Sequence, residues 1–386
     1  MLQYQRLLNL PSCILLEILT RLPIETISQC RYVCKTLRAI ILDPYFCKIV
    51  LSRPSILMKD NNFSIYRRDR FYVLEFGDNG IVLTEPKTIN TNFDPKIRRL
   101  NLVGSCNGLV CFSSTDSPGF LYITNPLLGH EYAAVKVPYF DDFVYLRSYR
   151  WSYGFGFSPA TRQYKVIIRM PGHITGETEL HVCTLGTNEW RNLGEVPLPK
   201  SSVKFHIDVN SNTGALHWIY RNGSSYASLN AFELGEERNR QIPLPPCLAR
   251  STAPMDLVVL GNCLCIYNTN YGKNADIWSM KDYGVAESWT KDHILSVNLS
   301  AGLVSAVPVP VNLKGNGGIL FSYEKRTYSL VYIPESILVF YDPERRNFAS
   351  IDLPDFVTFS KAYAFTGSFL PLGSAVAGEH WKIENL

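Results

Sequence analysis

The 386-residue sequence has no apolar run that approaches about 18 residues, so we expect no membrane-spanning helix. It also lacks the features of a secretory signal, because Glu17 interrupts the apolar run at 14–16 and no small-residue cleavage site follows. We therefore expect the protein in the cytoplasm, the nucleus or both, with its ten scattered cysteines reduced and mostly buried.

The motifs of common catalytic sites are absent too. There is no Gly-x-Ser-x-Gly nucleophile elbow, and the seven histidines form no His-x-x-x-His pair. Gly154 and Gly156 do not have the spacing of a nucleotide-binding loop, and we interpret them as part of a strand. Cys263 and Cys265 share a strand face but have no second cysteine pair at zinc-finger spacing. We expect no catalytic residue, no cofactor and no metal site.

Strong charge of either sign is missing as well. The formal net charge is +4, and no cluster of five or more Lys/Arg residues occurs, so nucleic acid is not an expected partner. The sequence is instead rich in aromatic residues, with 22 tyrosines and 20 phenylalanines, which favours β structure.

The first 50 residues have a helical pattern that the rest of the chain does not share. Apolar residues recur at helical intervals between Pro11 and Pro23, and two further apolar sets predict two more short helices before Asp43-Pro44. Three helices in roughly 40 residues are at the lower limit for an independent core. We expect this unit to lean on the following domain or on another protein.

The run LPSCILLEILTRLPIETISQCRYVCKTLRAIILDPYF resembles the F-box motif in the order and spacing of its anchors. Leu37 stands where plant F-boxes usually have tryptophan, so an apolar contact is kept with less aromatic area. The resemblance implies that this unit docks a Skp-family adaptor and, through it, a cullin–RING ubiquitin ligase. The residues implied in adaptor binding are Leu10, Pro11, Ile14, Leu15, Ile18, Leu22, Pro23, Val33, Cys34 and Lys35.

A weak internal repeat covers most of the remaining chain. Each unit has short apolar strands, a polar turn, and an exit that usually ends in proline. A period of roughly 50 residues with several strands per unit predicts propeller blades, whereas a pair of β-sandwich domains is the alternative. Five or six blades are expected, closed by pairing 362–370 with an early strand. The exits end at Pro138, Pro197, Pro245, Leu295 and Pro354.

The repeats carry a second resemblance. Segments such as SCNGLVCF (105–112) and ADIWSMKDYGVAESWTKDH (275–293) look like the plant F-box-associated domain, which implies a kelch-like, propeller-type interaction domain. The expected fold class is mainly β with a small α domain. The expected domains are the F-box at 5–50, the propeller-like domain at 100–372 and a tail at 373–386. Between them, 51–99 is expected to be a connecting segment with short strands or, alternatively, part of the first blade.

Several residues of the repeats have expected structural roles. Gly108 and Gly214 lie in Asn-Gly and Thr-Gly turns, where a positive φ is favoured. The large indole rings are expected to fill space between blades, each N–H bonding one partner. These tryptophans are Trp190, Trp218, Trp278 and Trp289.

One segment has the composition of an interaction surface. Residues 139–152 contain six aromatic residues and two arginines, which are the residue types of interface hot spots. The candidates for binding a target protein are Tyr139, Phe140, Phe143, Tyr145, Tyr149, Arg150 and Trp151.

The two resemblances together imply a substrate-recognition subunit of an SCF-type ubiquitin ligase, with an unknown protein as its substrate and no catalytic residue of its own. An F-box scaffold that acts outside any ligase is an alternative. A propeller lectin or enzyme is another, and it requires acids or histidines that converge on one face, which the sequence does not provide.

Overall fold

The computed structural model describes residues 10–51, 55–60, 68–76, 87–89, 91, 93–94, 96–128, 131–138, 151–171, 178–187, 189–195, 213–222, 226–253, 255–260, 263–270, 274–296, 303–313, 318–325, 335–342, 344–345, 347–353, 359–369, 371–375 and 383–385. Helices fill the first of these ranges and strands fill most of the others. The expected fold class, mainly β with a small α domain, is confirmed.

Four helices form the helical unit (residues 10–51): α1 (Ser12–Thr20), α2 (Ile24–Cys30), α3 (Lys35–Ile41) and α4 (Pro44–Leu51). The three predicted helices are confirmed, and Pro11 and Pro23 directly precede α1 and α2. Asp43 caps the N-terminus of α4, because its Oδ1 accepts hydrogen bonds from the N–H groups of Tyr45 (2.9 Å) and Phe46 (3.2 Å).

The strands of the described residues form six antiparallel sheets, which we number I to VI. Sheet I contains β1 (Ser55–Asp60), β2 (Phe71–Glu75), β3 (Lys87–Thr88) and β23 (Phe359–Phe365). Sheet II contains β4 (Leu100–Cys106), β5 (Leu109–Ser114), β6 (Phe120–Thr124), β7 (Glu131–Lys136) and β24 (Ile383–Asn385). Sheet III contains β8 (Ser152–Ser158), β9 (Gln163–Pro171), β10 (Thr178–Thr184) and β11 (Trp190–Glu195).

The other three sheets follow in chain order. Sheet IV contains β12 (Ala215–Asn222), β13 (Tyr226–Glu233) and β14 (Arg238–Ile242). Sheet V contains β15 (Met255–Leu260), β16 (Cys263–Asn270), β17 (Asn274–Met280) and β18 (Trp289–Ser296). Sheet VI contains β19 (Leu303–Leu313), β20 (Gly318–Lys325), β21 (Glu335–Asp342) and β22 (Asn347–Ile351). Short helical turns lie at α5 (Pro246–Ala249), α6 (Leu372–Ala375) and a 3-10 turn (Ala286–Ser288).

Neighbouring strands in each of sheets II to VI are consecutive in the chain, as in a meander, except that β24 joins the edge of sheet II beside β7. Three predicted exit ends are confirmed: Pro138 and Pro245 follow β7 and β14, and Leu295 lies in β18. The other two ends, Pro197 and Pro354, lie outside the described residues, but the strands β11 and β22 are in the segments that lead to them. The repeat of roughly 50 residues therefore corresponds to one sheet per unit.

The ring closes through sheet I, which joins the two ends of the strand region. β1 pairs with β23 from Ser55↔Phe365 to Lys59↔Lys361, so the predicted pairing of 362–370 with an early strand is confirmed for residues 362–365. Ser105 Oγ in β4 donates to the carbonyl of Ala364 in β23 at 3.4 Å, linking sheets I and II. Six sheets arranged in this way make a β-propeller, and the alternative of paired β-sandwiches is wrong.

The tryptophans connect neighbouring sheets. Trp218 and Trp289 are buried, as expected, while Trp190 and Trp278 are half-buried and pack against core clusters. Trp190 Nε1 donates to the carbonyl of Lys136 in sheet II at 2.7 Å, and Trp289 Nε1 donates to that of Pro243, after β14, at 2.8 Å. These indole N–H groups therefore hold sheets II and III, and sheets IV and V, together.

Candidate adaptor-binding face and target-binding loops

The helical unit shares one apolar core with sheets I and II. Its buried side chains are in the same cluster as those of β1, β2, β5 and β23 and of the segment before β4. The expectation that the unit leans on its own neighbour is therefore confirmed. The cluster contains Leu15, Leu19, Ile24, Ile27, Leu37, Ile41, Phe46 and Val50 from the helices and Leu57, Phe71, Val73, Phe93, Phe112 and Phe365 from the strand region.

Polar contacts fix the helical unit at one end of these two sheets. The N–H of Ile24 donates to Glu75 Oε1 at the end of β2 (3.1 Å). Ser28 Oγ donates to the carbonyl of Leu127, in the turn after β6, and Arg31 Nη1 donates to that of Phe369, both at 3.4 Å. The end of β2 and the segments that follow β6 and β23 therefore hold α2 and Arg31, the residue directly after it.

The helical unit has an unusual number of exposed apolar side chains. Of the ten large apolar side chains that are exposed among the described residues, seven lie in this unit: Ile14, Ile18, Tyr32, Val33, Leu42, Tyr45 and Ile49. A concentration of exposed apolar side chains marks an interaction surface. We call these seven residues the apolar face.

Helix α1 shows how the sequence divides its apolar residues between the two sides. Leu15 and Leu19 are 3% and 2% exposed and belong to the shared core, whereas Ile14 and Ile18 are 42% and 37% exposed. Each pair is spaced by four residues, so each forms its own stripe along the helix. One stripe holds the helix to the propeller and the other is available to a partner.

Most residues implied in adaptor binding lie at the surface. Pro11, Ile14, Ile18, Pro23, Val33 and Lys35 are exposed, and Leu10, Leu22 and Cys34 are half-buried. Leu15 was expected to contact the adaptor, but its side chain is buried in the core, where it packs α1 against the propeller. Leu37 is also buried, so the area lost relative to tryptophan concerns the packing of the unit itself.

The sequence reasoning did not identify the contribution of α4. Tyr45 and Ile49 are 70% and 41% exposed, and α4 packs against α1. The signal was present in the four-residue spacing of Tyr45 and Ile49 within PYFCKIV, which places them on one helical side and Phe46 and Val50 on the other.

Of the predicted target-binding residues, Tyr139, Phe140, Phe143, Tyr145, Tyr149 and Arg150 lie outside the described residues. Trp151 is half-buried and packs against the core cluster between sheets II and III. The flanking strand ends, Lys136 of β7 and Ser152 of β8, are at the opposite end of the sheets from the helical unit, because the chain reverses at each turn of the meander. A target bound there would leave the apolar face uncovered.

The described residues contain no group of three or more His, Cys, Asp or Glu that could hold a metal ion. Within the same part of the chain, no helix is long and apolar enough to cross a membrane. The ten cysteines are free thiols in this structure, and eight of them are buried or half-buried. Burial raises the pKa of Cys183 to about 12 and that of Cys265 to about 11, which keeps these thiols protonated and unreactive.

Comparison with known families matches both parts of the chain. Residues 7–49 match the F-box domain, and residues 67–369 match the F-box associated beta propeller domain. Similar proteins include F-box protein At3g07870 of Arabidopsis thaliana, 28% identical over 89% of this chain and 87% of that protein. F-box protein CPR1 of the same plant is 25% identical over 90% of this chain and 85% of its own length.

Among solved structures, TolB from Acinetobacter baumannii aligns with 81% of this chain and 65% of its own. The sequence identity is 12% and the TM-score is 0.47.

Proposed function

This chain belongs to the F-box associated β-propeller family and carries an F-box domain, and on that premise we propose that it is the substrate-recognition subunit of an SCF-type cullin–RING ubiquitin ligase. The F-box docks a Skp-family adaptor, and the propeller holds the protein to be ubiquitinated. The chain acts as a non-catalytic receptor in the cytoplasm or nucleus, and its propeller serves as a kelch-like interaction domain.

The observation that carries this proposal is the second apolar stripe of α1. Ile14 and Ile18 stay exposed although the same helix buries Leu15 and Leu19 against the propeller. An exposed apolar pair on a helix that is already anchored costs solubility unless a partner covers it. Tyr45 and Ile49 on α4 extend this surface, and aromatic anchors of that kind dominate the binding energy of interfaces.

Charge on the helical unit is compatible with an acidic partner. The described exposed charges are basic at Arg21, Lys35 and Arg38 and acidic at Glu17 and Asp43. Arg21 and Glu17 form an ion pair at 2.5 Å. Among the described exposed bases of this unit, Lys35 and Arg38 on α3 then contribute most of the positive electrostatic potential. Complementary charge of this kind accelerates association more than it adds affinity.

The test measures adaptor binding by calorimetry with a purified Skp-family adaptor. Ile14→Asp combined with Ile18→Asp should weaken binding by about 100-fold or more, since two apolar contacts are replaced by two carboxylates that the interface would desolvate. Both positions are exposed, so the double variant should unfold at the same urea concentration as the unmodified protein.

A matched control is Val285→Asp, which changes an apolar side chain that is 44% exposed in the turn between β17 and β18. It should leave adaptor affinity unchanged. The proposal fails if the unmodified, folded protein does not bind the adaptor at micromolar concentration. Adaptor binding without ubiquitination of any co-purified protein would instead indicate a scaffold outside the ligase.

A further inference from the structure

The turn between α2 and α3 carries one of the most exposed aromatic side chains of the apolar face. Tyr32 is 69% exposed and follows Arg31, the residue directly after α2. Its N–H donates to the carbonyl of Gln29 at 3.0 Å. The next N–H, that of Val33, donates to the carbonyl of Cys30 at 3.1 Å. The end of α2 therefore fixes the backbone position of Tyr32.

The side chain of Tyr32 is held by that of Arg31. Nη2 of Arg31 donates to the hydroxyl of Tyr32, and the guanidinium carbon lies 4.5 Å from the centre of the tyrosine ring. A cation at this distance from an aromatic face is attracted to it. One arginine therefore contacts both the hydroxyl and the ring of Tyr32, and it restricts a side chain that would otherwise sample several rotamers in water.

The other terminal nitrogen of Arg31 binds the propeller. Nη1 donates to the carbonyl of Phe369 at 3.4 Å, and Phe369 is 2% exposed in the core that the helical unit shares with sheets I and II. The preceding residue, Ser368, is fixed as well, because its carbonyl accepts a hydrogen bond of 2.8 Å from Nδ2 of the buried Asn125. Arg31 thus connects a firmly held part of the propeller to an exposed tyrosine.

Tyr45 on α4 provides a contrast within the same apolar face. It is 70% exposed, but within the described part of the chain its hydroxyl makes no hydrogen bond and its ring makes no aromatic or cation contact. Immobilising such a side chain at an interface costs affinity, and a side chain that is already held in the bound conformation avoids most of that cost. Of these two exposed tyrosines, Tyr32 is the one that the protein holds in advance.

We propose that Tyr32 is an anchor of the adaptor interface and that Arg31 is its positioning residue. This inference rests on the proposed function and deepens it, because Tyr32 is not among the ten residues that the F-box resemblance implies in adaptor binding. A tyrosine that becomes buried at an interface supplies a large contact area and a polar tip, which is why tyrosines are frequent among hot spots. Because Arg31 orients the ring from the propeller side, the adaptor binds a surface that depends on the contact between the helical unit and the propeller.

The test measures the affinity of the full chain for a purified Skp-family adaptor by calorimetry. Tyr32→Ala should weaken binding about tenfold, and its exposed position means that the fold should be kept. Arg31→Ala should weaken binding about fivefold, since the tyrosine ring is still present but is no longer oriented in advance. In the Tyr32→Ala background, Arg31→Ala should cost less than about a further twofold, which is the non-additivity expected when one residue acts through another.

Tyr45→Ala is the matched control, since it removes an equally exposed tyrosine from the same face. In that background Arg31→Ala should still cost about fivefold, because Arg31 does not hold Tyr45. Arg31→Lys keeps the positive charge but loses the planar fork that reaches the Phe369 carbonyl and the Tyr32 hydroxyl together, so it should lose nearly as much affinity as Arg31→Ala. Urea unfolding of each variant distinguishes a loss of affinity from a loss of folded protein.

Three results would overturn this inference and leave the proposed function intact. The first is unchanged adaptor affinity in Tyr32→Ala. The second is a loss in Arg31→Ala that is equally large with and without Tyr32, which would mean that Arg31 supports the whole helical unit or touches the adaptor itself. The third is an Arg31→Lys variant that binds as well as the unmodified protein, which would make charge the contribution of Arg31. Absence of adaptor binding by the unmodified, folded protein would instead reject the proposed function, and this inference with it.

Discussion

The backbone N–H of Ile24, the first residue of α2, donates a hydrogen bond of 3.1 Å to Oε1 of Glu75, the last residue of β2. Both residues are buried. A carboxylate from the propeller thus satisfies one of the N–H groups that every helix leaves unpaired at its start. The helical unit and sheet I are therefore joined by a polar contact inside a shared apolar core.

Replacing Glu75 should loosen this junction. Glu75→Ala leaves the Ile24 N–H buried without its acceptor, which should lower the free energy of unfolding by about 1 to 3 kcal/mol. Glu75→Gln retains an acceptor oxygen and should cost less. Urea unfolding at pH 7 measures both. Equal stability of the alanine variant and the unmodified protein would contradict a structural role for this contact.

The two stripes of α1 predict opposite results for neighbouring leucine and isoleucine. Leu15→Ala removes a core side chain and should cost about 2 to 5 kcal/mol of unfolding free energy. Ile14→Ala changes an exposed side chain and should cost no more than about 0.5 kcal/mol, while weakening adaptor binding. Thermal unfolding and adaptor calorimetry on both variants give a two-by-two comparison. A larger stability loss at Ile14 than at Leu15 would show that the stripes are assigned the wrong way round.

Helix α1 also illustrates how far the sequence alone leads. Its periodicity predicted a helix with apolar residues on one side, but Ile14 and Leu15 are adjacent, and spacing does not tell which of two neighbouring stripes meets the protein core. The position of the partner domain decides this. The ends of the meanders at Pro138 and Pro245 could be predicted from the sequence, because proline ends a strand through its local effect on the backbone.

Contacts between residues that are far apart in the sequence could not be predicted in the same way. Asp69 is surrounded by Lys59 and Arg99, whose positions next to it follow from the pairing of β1 with β2 and from the packing of sheet I on sheet II. No local sequence pattern predicts that Asp69 contacts Lys59 and Arg99. The same holds for Glu75 and Ile24, which are 51 positions apart in the chain.

Acidification should destabilise sheet III through His181. Burial lowers the pKa of His181, even though the nearby Glu179 carboxylate, 3.2 Å from Nε2, acts in the opposite direction. The unfolded chain, with a histidine pKa near about 6.5, then binds more protons than the folded chain just below that pH. Stability should therefore fall as the pH drops through about 6.5, by at most about 1.4 kcal/mol per pH unit for this one group.

His181→Gln provides the comparison, because it removes the titrating group and keeps a hydrogen-bonding side chain. Urea unfolding between about pH 7.5 and 5.5 should show a shallower pH dependence in the variant. The difference between the two curves isolates His181 from the other histidines. Parallel curves would mean that the folded and unfolded states bind a proton equally well at this position.

Gly108 tests whether the first two sheets must meet as closely as the structure shows. It was expected to adopt a positive φ in the turn between β4 and β5, and its φ of 81° confirms this, as does the φ of 60° at Gly214. A Cβ atom at Gly108 would lie 2.1 Å from Cβ and 2.5 Å from the backbone nitrogen of Ser368, which follows β23. The backbone of the closing segment would have to move.

Gly194 is a matched control, since its φ is also 81° but nothing lies within 4 Å of the position that a Cβ atom would occupy. Gly194→Ala should therefore cost only the backbone strain of a left-handed alanine, about 1 to 2 kcal/mol. Gly108→Ala should cost distinctly more in the same urea titration, because the clash with Ser368 adds to that strain. If the two variants lose equal stability, the segment after β23 can withdraw from the turn, and the closure of the ring near the helices is looser than the contacts of Ser368 indicate.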